Sequence, residues 1–503
     1  MSPLSPLRRQ RPQNSQNPLR PQGPMKRIAS AARPVDGTVT GAGTGTEARV
    51  LTREEAGARE SGLMIRLCMA VLTCLALLLA GQAVRAEIDI QEVTSPGGIK
   101  AWLVEDHSIP FTALEMRFRG GTSLDAPDKR GSVYLMAGLL EEGSGELRAQ
   151  DYTGALGALA ASFSYDADKD TVSISARFLS ENRDEVAELL RQTIQEPRFD
   201  QDALDRVRAQ VLVGLRSDMS DPNELAGRAF AELAFGDHPY GTNGKGTVES
   251  VSALTRQDMF AAHEAVFARD RLFVSAVGDI TPEALGLMLD DLLGDLPAEG
   301  GPLPGPAEVL IPGGTTVVPF TTPQSVALFG QKGIDRHDPD FFAAYVLNQI
   351  LGGGSFETRL MEEVRTKRGL TYGVYSYLVP RDLASTYMGS LASANEKMAE
   401  AVGVVRDQWS AMATNGVTAE ELKDAQTYLT GAYPLRFNGN GQIASILVAM
   451  QMDDLPIEYV VTRNAKVEAV TLEDVNRVAR TLLDPEGLHF VVVGDPVGLK
   501  STN

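Results

Sequence analysis

The sequence predicts an α+β protein made of two similar domains, each with a mixed or antiparallel sheet packed against helices. Three observations lead to this fold class. The segment YLMAGLLEEGS at 134–144 resembles YVLNQILGGGS at 345–355, at an offset of 211 residues. LFVSAVGDI at 272–280 resembles LHFVVVGDP at 488–496, in the same order and at an offset of 216, as an internal duplication requires. A stretch rich in Pro and Gly at 296–324 separates the two copies and reads as a linker.

The N-terminal region is expected to lie outside both domains. Residues 1–63 are rich in Pro, Arg, Gly, Ser and Thr without apolar periodicity, so they cannot bury enough surface to offset their ordering entropy. Residues 64–86 have the pattern of a signal peptide, with a basic start, an apolar run at 67–80 and a small-residue cleavage site ending at Ala86. A start of translation at Met64 would explain both segments. A genuine long leader and a retained membrane anchor are the alternatives.

Charge and cysteine content exclude several classes of function. The formal net charge is −19, and nucleic-acid binding needs a basic face, so no nucleic-acid partner is expected. Both cysteines, Cys68 and Cys74, lie in the predicted signal peptide. The mature chain would then have no disulfide, thiolate metal site or cysteine nucleophile. We expect an exported, most simply periplasmic protein, with no stable membrane span after the signal peptide is removed.

The first predicted domain covers 87–295. Within it, FTALEMRFRGG at 111–121 has strand composition, and DTVSISARFL at 170–179 alternates between apolar and polar residues as a half-buried strand does. The segments 182–196 and 201–219 carry apolar residues at helical spacing.

The second predicted domain covers 325–503. VALFGQKG at 326–333 has strand composition, and the segment 396–416 has helical spacing. The inner part of the linker, 308–320, has the composition of an edge strand that could belong to this domain.

Histidine spacing predicts no metal site in this chain. The five histidines are scattered, and no two lie one helical turn apart. A zinc-binding helix needs two such imidazoles with a carboxylate nearby. His263 and Glu264 resemble half of such a motif, but a single helical histidine is more often a surface or core residue.

Three motifs resemble the pitrilysin/insulinase-type zinc peptidases, the M16 family, and in particular its bacterial two-domain members. They are HPYG at 238–241, VGD at 277–279 and GGGSFETRLMEEVRTKRGLTYGVYS at 352–376. The last is the most specific because it extends over some two dozen residues. The resemblance covers about 87–503.

The resemblance implies a zinc site that this chain has lost. The family's active helix reads H-x-x-E-H, and on GSVYLMAGLLEEGS its histidines fall on Tyr134 and Gly138 and its glutamate on Ala137. The family's third ligand, a glutamate further on, falls at or next to Gly214. With all ligands and the general base replaced, no cofactor is expected in this chain, and activity as an independent zinc peptidase is not expected.

Another part of the family's machinery is kept. The resemblance implies that Arg365 and Tyr372 reach across to a zinc site, where they donate hydrogen bonds to a substrate carbonyl. The segment 356–368 is predicted as a helix that stops at Gly369, with Tyr372 opening the next strand. The alternative is a solvated cation near a helix end and a core aromatic ring.

The same resemblance implies a flexible connection near the substrate path, formed by Gly352, Gly353 and Gly354. A helix-breaking turn is an alternative that is compatible with this role.

The combination of a lost zinc motif with a retained Arg/Tyr pair resembles the non-catalytic subunit of heterodimeric M16B peptidases. This implies a substrate-binding chain that supplies Arg365 and Tyr372 in trans to the zinc of an H-x-x-E-H partner. The acidic charge of the chain, taken alone, favours extended peptides that are basic or neutral as substrates. The alternatives are a structural protein with no part in proteolysis, a peptide-binding module that acts alone, and an active enzyme with a different metal site.

Overall fold

A computed structural model describes residues 88–502 of this chain. The predictions for the leader at 1–63 and for the signal peptide at 64–86 concern residues outside this part. Within 88–502, no helix has both the length and the apolar character that a membrane crossing requires.

The strands of the first half are β1 Gln91–Thr94, β2 Lys100–Glu105, β3 Phe111–Arg119, β4 Gly143–Ser144, β5 Leu147–Arg148, β6 Ser162–Ala167, β7 Thr171–Leu179 and β8 Leu272–Gly278. In the described residues, a mixed sheet has the order β1-β2-β8-β3-β7-β6, while β4 and β5 form a separate ribbon. Only the neighbours β2 and β8 of the mixed sheet are parallel.

The helices of the first half are α1 Ser132–Leu139, α2 Ala149–Ala158, α3 Arg183–Gln195, α4 Gln201–Asp218, α5 Pro222–Phe235, α6 Val248–Ala253, α7 Arg256–Val266 and α8 Pro282–Leu293. Sheet and helices share an apolar core, because each presents one apolar side. On β7, Val172, Ile174 and Ala176 are buried at alternate positions, and on α3, Val186 and Leu190 are buried one helical turn apart. The predicted strands at 111–121 and 170–179 and the predicted helices at 182–196 and 201–219 are confirmed as β3, β7, α3 and α4.

The strands of the second half are β9 Gly314–Pro319, β10 Gln324–Lys332, β11 Val374–Pro380, β12 Ser385–Ala394 and β13 His489–Gly494. Its α-helices are α9 Phe341–Gly352, α10 Asn395–Asn415, α11 Ala419–Ala432, α12 Asn440–Met452, α13 Tyr459–Glu468 and α14 Leu472–Leu482. A short π-helix lies at Met361–Thr366. The predicted strand at 326–333 and the predicted helix at 396–416 are confirmed as β10 and α10.

The two sheets have matching topology. The second sheet has the order β11-β12-β10-β13-β9, and β13 and β9 are its parallel neighbours. When each sheet is followed from its parallel pair, the strands have the same order and the same directions. The strands β2, β8, β3, β7 and β6 correspond to β9, β13, β10, β12 and β11. The predicted fold class, two homologous α+β domains, is confirmed.

One helix of each half packs against the sheet of the other half, which the sequence did not predict. On α5, Ala226 and Phe230 share an apolar cluster with Val491 and Val493 of β13. On α12, Leu447 and its neighbours share a cluster with residues of β3 and β8 in the first sheet. The face that each sheet turns to the other half is therefore covered by a helix from that half.

The segment predicted as a linker, 296–324, is partly built into the fold. It contains β9, which pairs in parallel with β13 at the edge of the second sheet. Arg271 donates a hydrogen bond to the carbonyl of Gly301 at 2.6 Å, and Leu310 N–H donates to the carbonyl of Ala234 at 2.8 Å. These contacts attach the segment to the first half before β9 begins.

Candidate functional site

Helix α1, which carries the positions of the lost motif, begins at a buried aspartate. The Asp125 carboxylate accepts hydrogen bonds from the backbone N–H groups of Gly131 and Val133 and from the Ser132 hydroxyl, at 2.7, 2.9 and 2.6 Å. Burial raises the pKa of Asp125, and these hydrogen bonds oppose that shift. The start of α1 is thus fixed by residues outside the motif.

The three motif positions on α1 have different surroundings. Ala137 is buried in the core, Tyr134 is half-buried, and Gly138 is exposed. A Cβ atom added at Gly138 would lie 3.4 Å from Val207 of α4. Gly214, further along α4, is also exposed, with no atom within 4 Å of an added Cβ. The resemblance implies a zinc site formed by these positions of α1 and α4. Ala137, Gly138 and Gly214 supply no metal-binding side chain to it.

A lysine ammonium group lies near Tyr134. Lys245 Nζ is 2.8 Å from Asp218 and 3.9 Å from Glu224. Burial disfavours the charged form of Lys245, but the hydrogen bond to Asp218 and the negative charges of Glu224 and Asp218 together outweigh burial, so the pKa of Lys245 is raised. Burial raises the pKa of the Tyr134 phenol; Lys245 opposes this shift, and carboxylates including Asp166 reinforce it. A neutral phenol beside an ammonium group does not form a zinc site.

The residues present therefore do not fit zinc. Tyr134 offers a phenol instead of a neutral imidazole, Ala137 offers no base, and Gly138 and Gly214 offer no side chain at all. Among residues 88–502, no three His, Cys, Asp or Glu side chains are grouped so that they could hold a metal ion.

The histidine of the half-motif is a core residue. His263 Nε2 lies 2.6 Å from the carbonyl oxygen of Ile194, and its ring packs against Phe199 and Phe267. Burial lowers the pKa of His263. A neutral imidazole bonded to a backbone carbonyl has a structural role.

The HPYG motif joins the two halves. His238 Nδ1 accepts a hydrogen bond from Tyr240 N–H at 3.1 Å, and its Nε2 lies 3.1 Å from the carbonyl of Gly305. The buried Tyr240 hydroxyl donates to Asp170 and accepts from the N–H of Leu383 at 3.1 Å, and Leu383 belongs to the β11–β12 connection. In this chain, the motif has a packing role at the junction of the halves.

Arg365 lies on the π-helix at Met361–Thr366. The segment ends as predicted at Gly369, whose φ of +60° is in the left-handed region and whose N–H donates to the carbonyl of Arg365 at 2.8 Å. Its start differs from the prediction, because hydrogen-bonded helix begins at 359 and not at 356. The Thr358 hydroxyl accepts the N–H of Met361 at 3.3 Å and so caps this start. Wide π-type turns are frequent at functional sites.

Tyr372 precedes its strand and does not open it, which corrects the prediction. Strand β11 begins at Val374, and the Thr371 hydroxyl stabilises the turn before it through Gly373 N–H, at 3.1 Å, and the Ala392 carbonyl, at 2.7 Å. The Tyr372 side chain is 83% exposed. The interpretation of Tyr372 as a core aromatic is therefore wrong.

Within the described part of the chain, Arg365 forms no ion pair with a carboxylate, unlike the neighbouring Lys367 and Arg368. Lys367 and Arg368 both bond to Glu363, at 2.7 and 2.6 Å. The side chain of Arg365 makes no hydrogen bond or ion pair within residues 88–502, and its Cζ atom lies 4.9 Å from the ring centroid of Phe356. Sequence reasoning missed Phe356, and no spacing rule would have indicated it.

A cavity of about 350 Å³ adjoins Tyr372. It is lined by the start of α5 and by strands β10 to β12, through residues that include Asn223, Val326, Tyr375 and Ser390. Arg365 does not line this cavity, and no hydrogen bond joins Arg365 to Tyr372 within 88–502. The two predicted catalytic side chains thus belong to one helix–turn–strand segment.

The glycine run has packing requirements of its own. A Cβ atom added at Gly352 would lie 2.5 Å from Ser376 Oγ, and one added at Gly353 would lie 2.6 Å from the Cα atom of Gln349. Gly354 has a φ of +95°, which disfavours any other residue. These contacts account for a helix-ending turn. A contribution of Gly352, Gly353 and Gly354 to substrate binding stays a prediction.

Comparison with known proteins places most of the described region in one family. The sequence model "Insulinase (Peptidase family M16)" matches residues 100–243, and the model "Peptidase M16 inactive domain" matches 253–429. The "Non-peptidase homolog YmxG" of Helicobacter pylori is 29% identical over 399 residues, which cover 78% of this chain and 90% of that protein. An uncharacterized zinc protease of Streptomyces coelicolor is 25% identical over 411 residues, covering 78% and 87%.

A solved structure agrees with these matches. The crystal structure of a peptidase M16 inactive domain from Pseudomonas fluorescens superimposes with a TM-score of 0.76 and 30% identity, covering 82% of this chain and 99% of that one. The fold, the motifs and these matches agree, and the chain belongs to the M16 peptidase family.

Proposed function

We propose that this chain is the non-catalytic, substrate-binding subunit of a heterodimeric M16B peptidase. It supplies Arg365 and Tyr372 in trans to the zinc site of an H-x-x-E-H homologue, and the zinc belongs to that partner. The chain alone hydrolyses no peptide.

One observation carries this proposal: the Tyr372 side chain is exposed and the half-buried Arg365 side chain has no carboxylate partner within residues 88–502, while the motif positions implied for the chain's own zinc site hold residues that cannot bind zinc. Tyr372 is 83% exposed although burying a tyrosine ring stabilises a fold. Arg365 keeps its hydrogen-bond donors while its neighbours are paired with Glu363. A matching M16 inactive-domain model and a relative named a non-peptidase homologue support the non-catalytic part of the proposal.

The chemistry follows from the two donor types. During peptide hydrolysis, negative charge develops on the carbonyl oxygen, and donors placed there lower the barrier. A guanidinium and a phenol both donate to such an oxygen without transferring a proton. Two chains that each hold half of the site are active only when assembled.

Substrate binding has a candidate surface in β6, which forms the edge of the first sheet beside α1. An extended peptide can add to such an edge through main-chain hydrogen bonds. The exposed positions of β6 include Ser162, Ser164 and Asp166. The formal charge of −19 favours basic or neutral peptides.

Export to the periplasm is part of the proposal and rests on residues 64–86. Mass spectrometry of the protein from its native host tests it. Glu87 as the first residue supports cleavage of a signal peptide, whereas retention of residues before Glu87 contradicts it.

Hydrolysis assays test the central proposal. An unstructured peptide is incubated with this chain, with an H-x-x-E-H homologue from the same genome, and with both, and zinc is measured in each sample. We expect hydrolysis in the mixture only, and its loss with Arg365→Ala or Tyr372→Phe while size-exclusion chromatography still shows the complex. If the mixture is no faster than the homologue alone, the chain has a structural or peptide-binding role without a part in proteolysis.

A further inference from the structure

An exposed aromatic ring lies against the side chain of Arg365. The Phe356 side chain is 63% exposed, and its ring centroid is 4.9 Å from the Arg365 Cζ atom. A guanidinium within about 6 Å of an aromatic centroid is attracted by the electrons of the ring face. Phe356 lies outside the helix that carries Arg365, so helical spacing does not impose this contact.

The backbone on either side of Phe356 is attached to the second half. Before it, Gly352 packs so closely on Ser376 that an added Cβ would lie 2.5 Å from the hydroxyl. After it, Arg359 forms a two-point ion pair with Glu421, with N–O distances of 2.6 and 2.8 Å. Because both attachments lie within four residues of Phe356, they limit where its ring can go.

A ring restrains a guanidinium in a way that a carboxylate does not. Glu363 bonds to the donors of Lys367 and Arg368 and so occupies them. Phe356 has no acceptor atom, and contact with its ring leaves the N–H donors of Arg365 available to a ligand.

We propose that Phe356 is a positioning residue for Arg365. Its ring restricts the guanidinium to the orientation in which the N–H groups reach the substrate carbonyl at the partner's zinc. This inference rests on the proposed function in trans. The restraint reduces the side-chain freedom that Arg365 loses when the transition state forms, and it does so without competing for the donors.

Steady-state hydrolysis by the assembled pair tests the role of Phe356. We expect Phe356→Leu to lower kcat about two- to fivefold with KM unchanged, the size of one exposed cation–π contact. Phe356→Tyr keeps a ring and should keep the wild-type rate. Tyr428→Leu removes another exposed aromatic, 48% exposed on α11, and should leave the rate unchanged.

A double-mutant cycle separates positioning from a general structural effect. In an Arg365→Ala chain, Phe356→Leu should cause no further loss, because the residue that it positions is gone. The same fold loss with and without Arg365, or a wild-type kcat for Phe356→Leu, overturns the proposal for Phe356 even when Arg365→Ala lowers the rate as expected. Wild-type rates for Arg365→Ala itself would overturn the proposed function as well.

The contact can also be measured without any partner. In the chain alone, with isotope-labelled arginine, ring currents from Phe356 should shift the NMR resonances of the Arg365 side chain upfield. Phe356→Leu should abolish this shift and Phe356→Tyr should preserve it. Resonances that are unchanged by Phe356→Leu would contradict the stacking on which the inference depends.

Discussion

Lys169 and Asp170 are adjacent residues at the junction of the two halves, and burial acts on both. Lys169 Nζ donates to the carbonyl of Pro239 at 2.6 Å, while Asp170 accepts from the buried Tyr240 hydroxyl. Burial lowers the pKa of Lys169 to about 8, and burial raises the pKa of Asp170 to about 6. Arg381 of the second half opposes the shift of Asp170 through its positive charge. The pKa values of Lys169 and Asp170 therefore depend on how the two halves pack against each other.

The pKa of Asp170 predicts a pH dependence of stability. Its raised pKa means that the folded state binds more protons than the unfolded state between about pH 4 and 6, so the contribution of Asp170 to stability falls as the pH rises through this window. Relative to Asp170→Asn, the wild type should lose about 2 kcal/mol between pH 4 and 7. Urea unfolding of both proteins across this range measures the difference. A difference that is constant with pH would contradict the prediction.

Gly352 predicts a steric effect. Gly352→Ala would place a Cβ atom 2.5 Å from Ser376 Oγ and 2.6 Å from its backbone nitrogen, so we expect a loss of about 1–3 kcal/mol in the free energy of unfolding. Gly403→Ala is the matched control, since Gly403 lies inside α10 with no atom within 4 Å of an added Cβ. That variant should gain up to about 1 kcal/mol from helix propensity. Equal effects of the two substitutions in urea unfolding would disprove the close packing at Gly352.

At the scale of elements, the exchanged helices α5 and α12 connect the stability of the two halves. Leu447 of α12 is fully buried against the first sheet, although it belongs to the second half. The Ser275 hydroxyl of β8 donates to the carbonyl of Ala444 at 2.7 Å and fixes the same helix. A change on α12 should therefore affect both halves.

Leu447→Ala should lower the free energy of unfolding by about 2–5 kcal/mol, because it leaves a cavity between α12 and the first sheet. Fluorescence from Trp102 in the first half and Trp409 in the second should report one shared transition. Leu435→Ala is the control, since Leu435 is 79% exposed, and its effect should stay within about 0.5 kcal/mol. Separate transitions for the two tryptophans would contradict the coupling.

The sequence predicted local elements more completely than their partners. Helices α3, α4 and α10 follow from apolar spacing, which shows that a helix has a buried face but not which sheet covers it. Apolar spacing therefore could not predict that α5 packs against the second sheet and α12 against the first. At the candidate site, the turn at Gly369 followed from its residue type, whereas the contact between Phe356 and Arg365 depends on a loop path that no periodicity encodes.

At the scale of the whole molecule, the duplication yields two sheets of the same order but two different candidate sites. In the first half, the positions that the family resemblance implies for zinc ligands are Tyr134, Gly138 and Gly214, none of which is a zinc-binding residue type, while the second half carries Arg365 and the exposed Tyr372. Under the proposed function, such a chain contributes to hydrolysis only beside another chain that holds the metal. The proposed function therefore depends on an interaction between chains.

The most direct measurement is the turnover rate of the assembled pair with wild-type chain and with Arg365→Ala, both at saturating H-x-x-E-H homologue and with complex formation verified by size-exclusion chromatography. The account predicts that kcat falls about a hundredfold or more with Arg365→Ala, as it does when a donor to a developing oxyanion is removed. An unchanged kcat in a fully formed complex would contradict it.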